Sequence, residues 1–103
     1  MGLLKVYTLL RVLVPSTISK CFLPSLKSGG LIPPHTDKGV TLRTVHRIHV
    51  PIYTNPSAIF TVGGESINML EGSAYEINNV REHSVINEGR TPRVHLLFDL
   101  YCY

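Results

Sequence analysis

Arg47-Ile48-His49-Val50-Pro51-Ile52 and Arg93-Val94-His95-Leu96-Leu97-Phe98-Asp99 decide the class of fold, because both alternate with a period of two. An extended chain points successive side chains to opposite faces. The first segment therefore sets Ile48, Val50 and Ile52 on one face and Arg47 and His49 on the other. The second sets Val94, Leu96 and Phe98 against Arg93, His95, Leu97 and Asp99. A face of arginine, histidine and aspartate behind an apolar one either meets water or lines a polar pocket. Neither segment has a helical period, and no other long stretch supports an amphipathic helix.

Working outward, turn formers recur about every eight to twelve residues, the rhythm of all-β chains. They are Pro15-Ser16, Ser28-Gly29-Gly30, Asn55-Pro56, Gly63-Gly64, Glu71-Gly72, Asn78-Asn79 and Glu88-Gly89. Roughly eight short strands in so small a chain favour a closed or double-sheet antiparallel structure, which removes or protects strand edges. The expected fold is an all-β jelly roll, the cupin-like double-stranded β-helix, with little or no helical support. Polar residues from different strands can converge at the mouth of such a barrel and hold a ligand there.

The 103 residues suit one domain, and 44% apolar with 17% charged residues excludes a disordered segment. Ten Lys and Arg against seven Asp and Glu give a net charge of +3. The basic residues are scattered rather than blocked, which argues against a nucleic-acid partner. Cys21 and Cys102 fit neither a metal-ligand spacing nor a disulfide framework. Reduced thiols and a cytoplasmic location are the default expectation. The apolar opening from Leu3 to Val14 is interrupted by Lys5 and Arg11 and closed by Pro15. It falls short of the ~20 residues of a membrane span and lacks the features of a signal peptide. It reads as a buried or edge strand, or as the remnant of a longer amino-terminal region.

The strongest local chemical signal is Pro34-His35-Thr36-Asp37. Side chains at i and i+2 of an extended segment share a face, so His35 and Asp37 can occupy adjacent corners around one metal ion. A distant histidine would complete a two-His-one-carboxylate facial triad with open positions. His83, which opens a strand-like segment late in the chain, is the best candidate. Arg93 follows it on the next strand-like segment, and its planar fork suits a carboxylate.

The stretch 30–99 resembles the aspartyl/asparaginyl β-hydroxylase family of iron(II)- and 2-oxoglutarate-dependent oxygenases. The resemblance rests on Ile32–Asp37, Arg47–Pro51, Thr54-Asn55-Pro56, Phe60–Glu65, Glu71–Asn79, His83–Asn87 and Arg93–Leu96, in that order along the chain. It implies that His35 and His83 hold Fe(II) and that Arg93 pairs with the distal carboxylate of 2-oxoglutarate. His49 matches a histidine used near the co-substrate. Some members have glycine in place of Asp37 and bind iron through two histidines, so this chain resembles those with a full triad. The implied reaction consumes O2, converts 2-oxoglutarate to succinate and CO2, and hydroxylates an aspartyl, asparaginyl or related amino-acid-like substrate, free or in a peptide. By the same resemblance residues 1–103 form a single jelly-roll oxygenase domain lacking much of the amino-terminal region of longer members. Substrate recognition is then reduced, rebuilt by homo-oligomerisation, or absent from these residues.

Blander readings accompany these. Arg47 and His95 are candidates for substrate contact, Arg47 from its place in its block and His95 from sharing a face with Arg93. A hydrogen-bonded barrel histidine explains His95 equally well. His46 reads as a surface residue or one outside the direct ligand set. Arg43, Arg81 and Arg90 read as solvated, Phe60 and Tyr75 as packing residues and Met69 as core. Counting back places Pro24 where some members carry a second carboxylate-binding hydroxyl, with Ser25 and Ser28 nearby. Two alternatives stand beside the amino-acid hydroxylase: a lipid acyl-chain hydroxylase, and a jelly-roll metal-binding module without oxygenase turnover. The module has no need of Arg93.

Overall fold

The computed structural model describes residues 4–7, 16–36, 46–77 and 81–102. Among them the chain forms β1 (Leu4–Tyr7), β2 (Ser16–Phe22), β3 (Ser25–Leu26), β4 (Leu31–His35), β5 (His46–Tyr53), β6 (Ala58–Val62), β7 (Glu65–Ile67), β8 (Ala74–Ile77), β9 (His83–Asn87) and β10 (Arg93–Cys102). No described residue is helical, so no helix is long and apolar enough to cross a membrane. The Asn78-Asn79 turn and Asp37 lie outside the described residues.

The strands form two antiparallel sheets. The larger has the order β1-β8-β5-β10-β2, with β3 also paired to β10, and the smaller has the order β4-β9-β6-β7. From β4 onward the chain passes back and forth between the sheets, the winding of a double-stranded β-helix, as the alternation predicts. The tight β6–β7 hairpin places Gly63 and Gly64 at φ 55° and 85°, between the paired residues Val62 and Glu65. Such a two-residue loop needs positive φ at both positions, which glycine adopts without strain.

Between the sheets, Phe60, Val62 and Val85 of the smaller pack with Tyr75 and Ile77 of the larger and with Met69. Burial of these side chains contributes on the order of 1.5–3 kcal/mol for each large one. The larger sheet is buried on its reverse face as well, where Ile48, Val50, Ala74, Phe98 and Leu100 cluster. Ile52, expected beside Ile48 and Val50, is instead exposed. It lies beyond Ile48 and His49, the β5 residues that pair with β8.

One buried amide fastens three turns. Asn87, at the end of β9, donates to Leu26 O (3.0 Å) and Thr91 O (2.9 Å). It accepts from Asn55 Nδ2 (3.1 Å) and Gly89 N (3.1 Å). A side-chain carbon at Gly89 would collide with the Asn55 amide, so glycine is required there by close approach. Asn87→Ala leaves several of these groups without partners and is expected to lower unfolding free energy by about 2–4 kcal/mol. Urea unfolding checks this as a lower midpoint at constant slope. A loss under about 0.5 kcal/mol, the range of an ordinary surface substitution, would show that the amide is not a fastener.

Candidate functional site

Pairing of β4 with β9 sets His35 directly across from His83. The ladder shifts register between Ile32 and His35, where Pro33 and Pro34 have no N–H to contribute. The two imidazole centroids are 4.4 Å apart. His83 is buried and stacks on Phe60 with rings 10° from parallel, whereas His35 is exposed. In each histidine Nδ1 meets a backbone carbonyl two residues back, Pro33 O at 2.8 Å and Arg81 O at 2.9 Å. A carbonyl oxygen only accepts, so Nδ1 carries the proton and Nε2 keeps its lone pair. That is the tautomer in which imidazole binds a metal through Nε2. Among the described residues no group of three or more metal-binding side chains forms, and the described part of the candidate metal centre is this pair of histidines.

The pair opens on a cavity of about 170 Å³. Its opposite wall comes from the larger sheet: Arg47 and His49 of β5, and Arg93 and Leu97 of β10. Pro24, Ile32, Phe60 and Val85 complete the lining. Cross-strand register explains the grouping, because β10 sets Leu97 against His49 and Asp99 against Arg47. Arg47 uses that register to make a two-pronged ion pair, Nε to Asp99 Oδ1 (2.8 Å) and Nη2 to Oδ2 (3.0 Å), with its guanidinium over the Phe22 ring. Asp99 was visible in the sequence on the Arg93 face, but its role depends on a register that alternation alone does not fix.

Arg93 is 4% exposed. Its Nη1 lies 3.1 Å and 3.3 Å from the two ring nitrogens of His95, while its buried Nε has no hydrogen-bond partner. Burial lowers its pKa from 12.5 to about 10, so it stays charged at neutral pH without an acidic partner among the described residues. A buried ion in that state is costly, and an anion in the cavity would relieve the cost.

His95 does not line the main cavity. It sits behind Arg93 and His49, 1% exposed, with its Nδ1 3.3 Å from His49 Nδ1. Burial first, and the Arg93 charge second, push its pKa down to about 3. His49 is held well below 6.5 by burial, then by His95, Arg93, Arg47 and His83. Both are therefore neutral at physiological pH. His46 pairs with the buried carboxylate of Glu76. Pro24 lines the cavity without a hydroxyl, Ser28 Oγ donates to Gly89 O, and exposed Ser25 pairs opposite Val94. A wider cleft of about 560 Å³ lies against the smaller sheet, lined by Pro34, Thr61, Gly63, Arg81, Glu82 and Ser84 among others, and His83 borders both spaces.

A family model described as aspartyl/asparaginyl beta-hydroxylase matches residues 4–102. Among curated proteins none matches at a significant level. Two of the solved structures that match share the fold at low identity. One is a predicted oxalate decarboxylase from Thermotoga maritima, with TM-score 0.62, 15% identity and coverage of 82% of this chain and 68% of that one. The other is the non-heme monooxygenase ThoJ in a nickel complex, with TM-score 0.65, 12% identity and coverage of 84% and 44%. The chain thus spans less than half of the monooxygenase.

The buried histidines give stability a defined pH dependence. His95 has a folded pKa of about 3 against 6.5 unfolded. As pH falls below 6.5 the unfolded chain takes up a proton that the folded one refuses, so stability is full above 6.5 and declines toward pH 3. The slope for one such group approaches about 1.4 kcal/mol per pH unit. Urea midpoints at pH 7 and pH 5 should fall for the wild type and fall less for His95→Asn. Equal slopes in the two proteins would contradict a neutral buried His95.

Proposed function

The chain belongs to the aspartyl/asparaginyl beta-hydroxylase family, and we propose that it is an iron(II)- and 2-oxoglutarate-dependent hydroxylase. The observation that carries this reading is Arg93, a buried cation with an unpartnered Nε beside a cavity that two metal-competent histidines also border. The residues fit both groups. His35 and His83 present Nε2 lone pairs, and Asp37, two residues from His35, is the acid that would complete the ligand set. Arg93 would take the distal carboxylate of 2-oxoglutarate, and His49 would line the same pocket. A cavity of about 170 Å³ is below the roughly 300–1,000 Å³ of drug-sized sites and suits a small dicarboxylate.

Bound iron and 2-oxoglutarate would supply the oxidant that hydroxylates a substrate C–H bond with O2. The chain's own contribution is positional. Backbone carbonyls orient His35 and His83, and Phe60 holds the His83 ring. Ile32, Val85 and Leu97 give the pocket an apolar lining. The Arg47–Asp99 pair neutralises one cation at the wall, leaving Arg93 to attract an anion. The wider cleft beside His83 is the route by which an aspartyl, asparaginyl or amino-acid-like substrate, free or in a peptide, would approach. A module that only bound metal would have no use for a buried arginine that meets no acid among the described residues.

Anaerobic addition of Fe(II) and then 2-oxoglutarate should produce the weak visible charge-transfer band of the iron chelate. Its absence from a folded, iron-loaded sample would sink the oxygenase reading. Arg93→Ala should leave iron binding in place and weaken 2-oxoglutarate binding by about 2–5 kcal/mol, the range for truncating one partner of a buried charged pair. Unchanged affinity would remove Arg93 from the site.

A further inference from the structure

The wider cleft lies where the ends of three strands meet the histidine pair: β4 ends at His35, β9 begins at His83, and β6 ends at Val62, which pairs with His83. Thr61 and Ser84, cross-strand partners on β6 and β9, put two hydroxyls on one face of it. Exposed Arg81 and Glu82 add a cation and an anion from adjacent positions. The backbone that carries these charges is held from both sides. Arg81 O accepts from His83 Nδ1 (2.9 Å), and Glu82 O accepts from Gly63 N in the β6–β7 turn (2.9 Å). The origin of each charged side chain is therefore set relative to the candidate metal centre.

Size and polarity narrow what the cleft takes. Its volume of about 560 Å³ is more than three times the 170 Å³ of the inner cavity. A free aspartate or asparagine is no larger than 2-oxoglutarate and would leave most of that space empty. An acyl chain needs apolar walls, yet of the described residues lining the cleft only Pro34 has an apolar side chain. We propose that Arg81 and Glu82 are specificity-determining residues that read opposite charges on an extended peptide, a carboxylate against Arg81 and a cation against Glu82, close to the residue presented to the histidine pair. The guanidinium fork suits a carboxylate, and the hydroxyls of Thr61 and Ser84 suit main-chain amides. Because the two charges occupy fixed, different positions, the order of acid and base along the peptide becomes the selected property. Both side chains are exposed, so water and salt screen each pair and keep the discrimination modest. That the presented residue is hydroxylated rests on the hydroxylase reading, whereas the preference for charge order does not.

The test uses two fluorescein-labelled peptides of identical composition, each with a central Asn, in which a Glu and a Lys flanking that Asn exchange places. Fluorescence anisotropy follows their binding to the protein at low salt, under nitrogen, with Fe(II) and 2-oxoglutarate added. One order should bind about two- to tenfold more tightly, and the preference should shrink in about 1 M salt. Exchanging the charges in the protein, Arg81→Glu together with Glu82→Arg, keeps the net charge and should reverse the preference. Equal binding of the two peptides, binding of neither, or a preference that survives the exchange overturns the proposal. So does displacement of the peptide by free asparagine at comparable affinity. If the exchanged variant does not fold, Arg81→Gln and Glu82→Gln each remove one charge and should each flatten the preference, and a preference unchanged in both overturns the proposal. Admitting O2 then separates the two readings by mass spectrometry. A peptide that binds by charge order but gains no oxygen atom defeats the hydroxylase reading and leaves the charge reading standing.

Discussion

A guanidinium buried in the wall of a barrel, with no acid beside it among the described residues, is an arrangement that folding alone does not favour. Arg93 forgoes most of its hydration, and the side chain that its guanidinium meets among the described residues, neutral His95, offers weak compensation. The remainder of the larger sheet makes the contrast plain. Arg47 meets Asp99 through two hydrogen bonds, as a buried or half-buried arginine ordinarily does. The strands could have provided Arg93 with the same. Its Nε instead has no hydrogen-bond partner among the described residues.

The same constraint propagates to the histidines. Burial, and then the Arg93 charge, keep the His95 ring neutral, and a neutral imidazole has one protonated nitrogen to place. On the opposite sheet the specification comes from the backbone. His35 and His83 each bend back to a carbonyl two residues earlier, so strand geometry itself determines which nitrogen faces the cavity. Main-chain carbonyls thus settle the tautomers of the two histidines that face each other across the smaller sheet. A change to that backbone geometry would leave both residues present and their chemistry altered, which is why residue identity alone understates what the site requires.

Much of this was legible in the sequence, and the part that was not has a physical reason. Period-two alternation in Arg47–Ile52 and Arg93–Asp99 gave the strands and the inward set of polar residues, and Gly63-Gly64 gave the tightest turn. Alternation says which face a residue takes but not which residue lies opposite. The Arg47–Asp99 pair, the His49–His95 contact and the withdrawal of His95 from the cavity lining all follow from register between β5 and β10, segments distant in sequence. Asn87 was likewise invisible as a fastener, because its partners belong to three separate turns. His35 facing His83 is also a register effect, assisted by two prolines that interrupt the ladder.

Register is therefore where the fold and the chemistry become the same problem. A slip of one residue in β10 against β5 would turn Arg93, His95, Leu97 and Asp99 outward and bring Val94, Leu96, Phe98 and Leu100 in. The reverse face of the larger sheet opposes such a slip, because Ile48, Val50, Ala74, Phe98 and Leu100 are already packed there. A strand buried on one face only could keep a polar inner set by leaving the other in water. Here apolar packing on one side of the sheet fixes the register that the polar side needs. The hydrophobic cluster most remote from the cavity consequently determines whether Arg93 and His49 share it, and enlarging or emptying that cluster acts on the site through register before it acts through stability.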